Sequence, residues 1–138
     1  MAIRNPPEDV RAFLHSKTIN ARVLSSGTNL FACAPRVAPG IPAKAVFVWA
    51  GAGGAAPIPY MGVSRSVWYP RLQIRVRGDP DTLNETRLAA RAAMQLLHRA
   101  LITGYASALI NESEPIDLGE GLHGGPEFGL NLDLIFGE

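Results

Sequence analysis

The chain has 138 residues, of which 47% are hydrophobic and 18% are charged. This size and composition predict one globular domain with one core, spanning residues 1–138. The formal net charge of +1 excludes a global field that would draw the chain to nucleic acid or to a membrane surface. The single cysteine, Cys33, excludes an internal disulfide and is expected to be a small buried apolar residue.

No stretch of the sequence predicts secretion or membrane insertion. The first ten residues, MAIRNPPEDV, contain no apolar segment of the kind found in signal peptides. Residues 45–64 carry no charge and are long enough to cross a bilayer, but their glycines and prolines would leave backbone groups unsatisfied in lipid. We therefore expect no membrane partner.

A short helix is the first predicted element. The stretch NPPEDV places a capping residue type, two prolines and two acids in the order typical of a helix start. Val10, Phe13 and Leu14 follow with the spacing of one apolar helix face, and the helix is expected to end near Lys17.

Strands are predicted next. Residues 21–34 indicate one or two short strands around a turn at residues 25–29, and residues 35–42 indicate a connection interrupted by prolines. Residues 43–50, AKAVFVWA, favour a buried strand because they form a nearly continuous β-favouring run.

The glycine-rich stretch after this strand matches the dinucleotide-binding pattern G-x-G-x-x-A at Gly51, Gly53 and Ala56. A phosphate-binding loop must open into a helix, whose N-terminus supplies free N–H groups. Pro57 and Pro59 disfavour that helix, and no K-[ST] pair follows a glycine. We expect no nucleotide cofactor, and interpret residues 51–61 as a long, flexible loop that contacts a partner.

The clearest strand is WYPRLQIRVRG, residues 68–78. Its apolar face is formed by Leu72, Ile74 and Val76. Its polar face is formed by Arg71, Gln73, Arg75 and Arg77. The arginines could contact phosphate, pair with carboxylates at a protein interface, or form an ordinary solvated face.

A long helix is predicted over residues 80–101. Asp79 with Pro80, or Thr82 with Glu85, could cap its start, and Gly104 follows its end. The predicted apolar side comprises Leu83, Leu88, Ala92, Leu96 and Leu97, with Ala89, Ala93 and Ala100 as small neighbours. The predicted polar side comprises Arg87, Arg91, Gln95 and Arg99.

The remaining elements are a short strand at residues 107–111, a loop at residues 112–128 and a final strand at residues 129–136. In the final strand, Leu130, Leu132, Leu134 and Phe136 share one face, and Asn131 and Asp133 share the other. These elements predict an α+β fold, a mostly antiparallel sheet with one long helix packed on one face and a short N-terminal helix.

Catalytic and metal-binding patterns are not supported. The histidines His15, His98 and His123 have no acid at a telling spacing, and no G-x-S-x-G occurs. A late cluster is formed by Asp117, Glu120, His123 and Glu127. Its spacing matches no hard-metal loop or zinc site, so we interpret it as a solvated acidic loop and expect no catalytic or metal residues.

The order of elements resembles the tail terminator and minor capsid (head–tail joining) proteins of long-tailed bacteriophages and gene transfer agents. The resemblance rests on the strand WYPRLQIRVRGDP, the alanine-rich helix TLNETRLAARAAMQLLHRAL and the final strand EFGLNLDLIF. It covers most of the chain from Trp68 onward and the order of elements before it. The stretch HGGPEFGLNL lacks the arginine that the family usually has before its last strand.

This resemblance implies a non-enzymatic virion structural protein without cofactors. Six copies would form a ring that ends the tail tube and joins the tail to the head, located in the tail or neck of the virion and in host cytoplasm during assembly. The implied partners are other copies of the chain, the tail tube protein, a head-closure or connector protein and, transiently, DNA passing through the lumen.

Several residues are expected to contact these partners, through the loops at residues 51–61 and 117–128 and the arginine strand. They are Gly51, Gly53, Gly54, Ile58, Tyr60, Trp68, Arg71, Arg75, Arg77, Glu120 and His123. Whether Arg75 and Arg77 lie at a subunit junction or line the lumen stays open. Alternative functions are another neck component, a nucleic-acid-binding module that uses the arginine strand, and a small hydrolase or nucleotide-binding enzyme.

Overall fold

The structure is a computed structural model that describes residues 3–33, 41–50, 53–60, 65–121 and 123–137. Its elements follow in chain order: α1 (Pro6–Leu14), β1 (Thr18–Ile19), β2 (Arg22–Val23), β3 (Leu30–Ala32), β4 (Ala45–Trp49), β5 (Gly54–Pro59), β6 (Ser66–Arg77), α2 (Leu83–Leu97), β7 (Ser107–Ile110), β8 (Ile116–Glu120) and β9 (Pro126–Gly137). The helices and the mainly antiparallel sheet confirm the predicted α+β fold.

The sheet is built around β6 and β9, two 12-residue strands that pair antiparallel from Val67 opposite Gly137 to Arg77 opposite Glu127. On the other side of β6, β5 pairs with its first half and β4 with its second half. On the other side of β9 lie β7 and β8. β3 runs parallel to β4, while β1 and β2 form a separate antiparallel pair.

The core lies on one face of this sheet. The alternating apolar side chains of β6 and β9 point into it, as predicted. Leu72, Ile74 and Val76 of β6 are fully buried, and so are the leucines at 130, 132 and 134 of β9. Val10 and Leu14 of α1, together with α2, cover these side chains. Each such buried aliphatic side chain contributes about 1.5–3 kcal/mol to folding.

The apolar side of α2 differs from the prediction. Leu83 and Leu88 are 57% and 39% exposed, so the predicted leucine stripe is wrong at both. The buried residues instead are Thr86, Ala89, Ala90, Ala93, Met94 and Leu97. This set follows the i, i+3, i+4, i+7 spacing of a single helix face, and its small side chains let the helix lie close to the sheet.

Both helices are shorter than predicted because backbone turns end them. α1 stops at Leu14, before Ser16 with φ +69°. α2 stops at Leu97, before Arg99 with φ +61°, whose N–H donates to the carbonyl of Ala108 at 2.7 Å. Thr82 is the N-cap of α2, but its hydroxyl donates to the carbonyl of Asp79, so the predicted capping box does not form.

Two predicted loops contain strands, β5 and β8. Both pairings shift register part-way, between Ala55 and Ile58 and between Asp117 and Glu120, and such irregular strands have weak sequence signals. The turn at residues 25–29 is confirmed, since the amide of Ser25 donates to Oδ1 of Asn29 at 2.7 Å. Most of the connection at residues 35–42 lies outside the described residues.

Cys33 is exposed, so its predicted burial is wrong. It follows the last residue of β3 with φ +55°, which turns it out of the alternation of that strand.

Candidate interaction surfaces

A two-stranded arm, defined as residues 53–60 and 65–70, carries β5 and the first part of β6. Every residue of β5 is exposed. Ile58 is 55% exposed, Tyr60 44% and Trp68 36%. The arm therefore presents apolar side chains that its own chain leaves largely uncovered.

Glycine is required where the arm begins. Gly54 has φ +107°, and a Cβ there would lie 2.0 Å from the carbonyl oxygen of Tyr69 on β6. The neighbouring Gly53 has φ +72° with no atom near its Cβ position. These glycines lead into a strand, so the expected absence of a helix after them is confirmed, whereas the expected loop is wrong for residues 54–59. Gly51 lies outside the described residues.

Backbone hydrogen bonds fix which edge of β5 is free. The amide of Tyr60 donates to the carbonyl of Arg65 at 2.9 Å, and the amide of Arg71 donates to the carbonyl of Gly53 at 3.2 Å. Because successive residues of a strand face opposite ways, Pro59 faces away from β6. Neither Pro57 nor Pro59 has an N–H, so the free edge offers carbonyl acceptors and few donors.

The arm is anchored at its base by aromatic contacts. Trp68 stacks on Phe136 of β9 with ring centroids 6.4 Å apart, and Tyr105 meets Phe136 edge-on at 5.5 Å. The Tyr105 hydroxyl donates to Oδ2 of Asp9 at 2.7 Å. Burial, reinforced by this carboxylate, raises the pKa of Tyr105. These contacts tie α1 and β9 to the arm.

The arginines of β6 lie on the face opposite the helices, as predicted, but they are engaged within the chain. Arg71 donates two hydrogen bonds to Asp133 of β9, at 2.6 and 3.3 Å. This bonding raises the pKa of Arg71. Both side chains are more than a third exposed, so the pair adds little stability.

Arg75 is held by three groups. Its guanidinium lies 3.3 Å from Oε1 of the buried Glu127, donates to Oε1 of Gln73 at 2.9 Å and sits 5.0 Å from the ring centroid of Trp49. Glu127 is only 5% exposed. The arginine therefore neutralises a buried carboxylate.

Arg77 is buried, which corrects the expectation of an exposed polar face at this position. It is 3% exposed, donates to the carbonyl of Pro42 at 2.9 Å and lies 4.8 Å from the ring centroid of Phe47. Burial lowers the pKa of Arg77, against the opposing charge of Glu127. Sequence alternation could predict the face of Arg77 but not the aromatic side chains of β4 beside it.

Glu120 and His123 lie at the other end of the sheet, near the turn after β6. Glu120 ends β8 and is exposed, while Nε2 of His123 is hydrogen-bonded to the carbonyl of Gly78 at 3.0 Å. Over a strand of 12 residues, this end lies about 35–40 Å from the start of β6 in the arm. Among the described residues, no cluster of His, Cys, Asp and Glu could hold a metal ion.

A cleft between α2 and the chain after β7 was not predicted. It has a volume of about 510 Å³ and is lined by Arg91, Met94, Gln95, His98, Ile110, Asn111, Glu112 and Ser113. No sequence signal marks it, because one wall comes from α2 and the other from residues 110–113, which the sequence predicts as the end of a strand and the start of a loop. We call it the α2–β7 cleft.

Hydrogen bonds occupy the charged groups of the α2–β7 cleft. Arg91 pairs with Glu114, and Oε1 of Glu112 accepts from the amide of Asn131. Nδ1 of His98 accepts from the amide of Ile110 at 3.1 Å, so the neutral ring carries its proton on Nε2. The neutral groups left to meet an occupant include the donors of Gln95, His98, Asn111 and Ser113.

No helix within the described ranges is long and apolar enough to cross a membrane. Neither protein-family models nor curated proteins match this sequence.

Proposed function

We propose that the chain is a tail terminator subunit, a virion structural protein whose copies form a ring that ends the tail tube and joins it to the head. The observation that carries the proposal is the arm, an exposed and almost uncharged pair of strands. Burying Ile58 and Tyr60 on one face of the arm, or Trp68 on the other, against another protein would recover hydrophobic free energy that the isolated chain forgoes. The order of elements, which resembles this family, supports the same function.

The distribution of edges supports a ring. β5 lies on one side of the central strands β6 and β9, and β7 and β8, which each pair with a different part of β9, lie on the other side. Surfaces on opposite sides of a subunit can meet head-to-tail, and such contacts close into a ring when the rotation permits.

The arginine strand supports a structural role more than a nucleic-acid platform. Arg71, Arg75 and Arg77 each contact carboxylate, carbonyl or aromatic groups of their own chain. A phosphate would have to compete with these partners for the guanidinium groups. A head-closure protein of the same neck would use the same arm, so particle morphology must distinguish it.

Deletion of the gene from the genome that encodes it tests the proposal. Electron microscopy is expected to show filled heads separated from tails of irregular length, and the intact gene supplied in trans should restore joined particles. A mutant that makes normal infectious particles would contradict any neck function. Tails of normal length detached from heads would favour a head-closure protein over a terminator.

A further inference from the structure

We propose that the arm of one copy docks into the α2–β7 cleft of the next copy. The inference rests on the proposed ring, because it names the two surfaces that would form the junction between subunits. It commits to a second copy of this chain as the occupant of the cleft.

The hydrogen-bonding groups of the arm and the cleft are complementary. The free edge of β5 presents carbonyl oxygens, since Pro57 and Pro59 have no N–H and Pro59 faces outward. An occupant that accepts hydrogen bonds needs a receiver that donates them. The cleft offers the amide groups of Gln95 and Asn111, the Nε2 proton of His98 and the hydroxyl of Ser113.

Strand β5 would bring no charge into the cleft. Residues 53–60 contain no ionisable side chain except the Tyr60 phenol. Of the charged groups of the cleft, Arg91 pairs with Glu114, while the Glu112 carboxylate accepts a hydrogen bond from the Asn131 amide and keeps its charge. An uncharged strand adds no further charge to the cleft, and Met94 and Ile110 supply apolar surface for Ile58.

The positions of the arm and the cleft also favour docking between copies. At one level of the sheet the strands run in the order β5, β6, β9, β7, because Ala55 pairs with Tyr69 and Ile135 pairs with Ser107, so β5 and β7 are separated by about 14 Å of strand spacing. The cleft begins at Ile110, further along β7, and so lies on the edge of the sheet opposite the arm. Two surfaces so placed cannot satisfy each other within one copy, and repeated docking in one direction gives a ring when the rotation between copies closes.

Complementary variants test this contact by native mass spectrometry. Ile58→Asp places a charge on the exposed arm, while the double variant Gln95→Glu/Asn111→Asp turns two donors of the cleft into acceptors without changing their shape. Each should weaken self-association about 10- to 100-fold. Ile58→Lys should weaken self-association as much as Ile58→Asp. Because the two new charges have opposite signs, equal effects would point to the lost apolar burial rather than to charge repulsion.

A mixture of the arm variant and the cleft variant tests directly whether the arm binds the cleft. The arm variant keeps an intact cleft and the cleft variant keeps an intact arm, so the mixture should form a one-to-one dimer that grows no further. Leu101→Asp and Asn84→Asp are matched controls, since both positions are exposed and lie outside the two surfaces, and both should assemble like the unaltered chain. Unchanged circular dichroism would show that all variants fold.

Two outcomes would overturn the inference. If the unaltered chain forms a ring and either variant still does so, another surface makes the junction, while the proposed function stands. If the unaltered chain stays monomeric at every concentration, the arm does not dock into a free second copy, and particle morphology after gene deletion decides the function separately.

Discussion

Glu127 and Asp133 both pair with arginines of β6, but the two pairs differ in burial and should therefore contribute differently to the free energy of unfolding. Glu127 is 5% exposed beside Arg75, whereas the Asp133 and Arg71 side chains are 37% and 39% exposed. Glu127→Ala should lower the free energy of unfolding by about 3 kcal/mol, because it leaves a mostly buried guanidinium without its carboxylate. Asp133→Ala should lower it by less than about 1 kcal/mol.

Urea unfolding at neutral pH measures both changes. If the two variants lost equal free energy of unfolding, burial would not determine how much each ion pair stabilises the fold.

Tyr105 links α1 to the end of β9 through Asp9. Tyr105→Phe should cost about 0.5–1.5 kcal/mol at neutral pH, because it removes one hydrogen bond. The pKa of Tyr105 is raised in the folded state, so the neutral hydroxyl stabilises the fold below the unfolded pKa of about 10, and that stability is lost as pH rises beyond it.

The difference in unfolding free energy between Tyr105→Phe and the unaltered chain should therefore shrink when urea titrations are repeated above pH 10. A difference that grows with pH would contradict the assigned hydrogen bond.

Sequence alternation predicted the direction of the β6 side chains correctly, but not their partners. The register that sets Arg75 beside Phe47 on β4 and Gly129 on β9 depends on residues far apart in the chain. Local periodicity contains no information about such pairings, which is why Arg77 was expected on an exposed face and is buried.

Among the elements, α2 buries small side chains rather than the large ones that predicted its apolar side. The large residues Leu83 and Leu88 suggested the apolar side, but the buried side is rich in alanine. Five residues correspond to well over one turn, so Leu83 and Leu88 do not share a face with each other. Close packing of the helix on the sheet selects small residues instead.

Substitutions in α2 test that packing. Ala90→Leu should lower the free energy of unfolding by about 1–3 kcal/mol through overpacking, since Ala90 is fully buried. Leu88→Ser should change it by less than about 0.5 kcal/mol beyond the helix-propensity difference. Thermal or urea unfolding measures both, and a larger loss from Leu88→Ser would reverse the assigned face.

Substitutions at the start of the arm test whether glycine is required at position 54. Gly54→Ala should detach β5 from β6, because the added methyl would meet the carbonyl of Tyr69, whereas Gly53→Ala adds only backbone strain of about 1 kcal/mol. Hydrogen exchange should speed up at amides of residues 55–60 in Gly54→Ala while those of β9 stay protected. Equal exchange of β5 in both variants would contradict the assigned pairing.

Across the whole molecule, the sequence predicted the fold class and the two alternating strands but only part of the interaction surface. Ile58, Tyr60 and Trp68 all lie in the arm, with Trp68 on the opposite face from Ile58 because Ile58 pairs with Val67, whereas Glu120 and His123 lie at the far end of β6. The α2–β7 cleft could not be predicted, because α2 and the chain after β7 meet only in the folded state.

Head-to-tail assembly into a closed ring is the proposal on which the function of this chain depends. Native mass spectrometry of the purified chain across a concentration series measures that assembly. We expect one discrete oligomer of six 14.8 kDa chains, without a stable symmetric dimer on the way. A closed dimer that persists at every concentration would contradict head-to-tail assembly and the ring that depends on it.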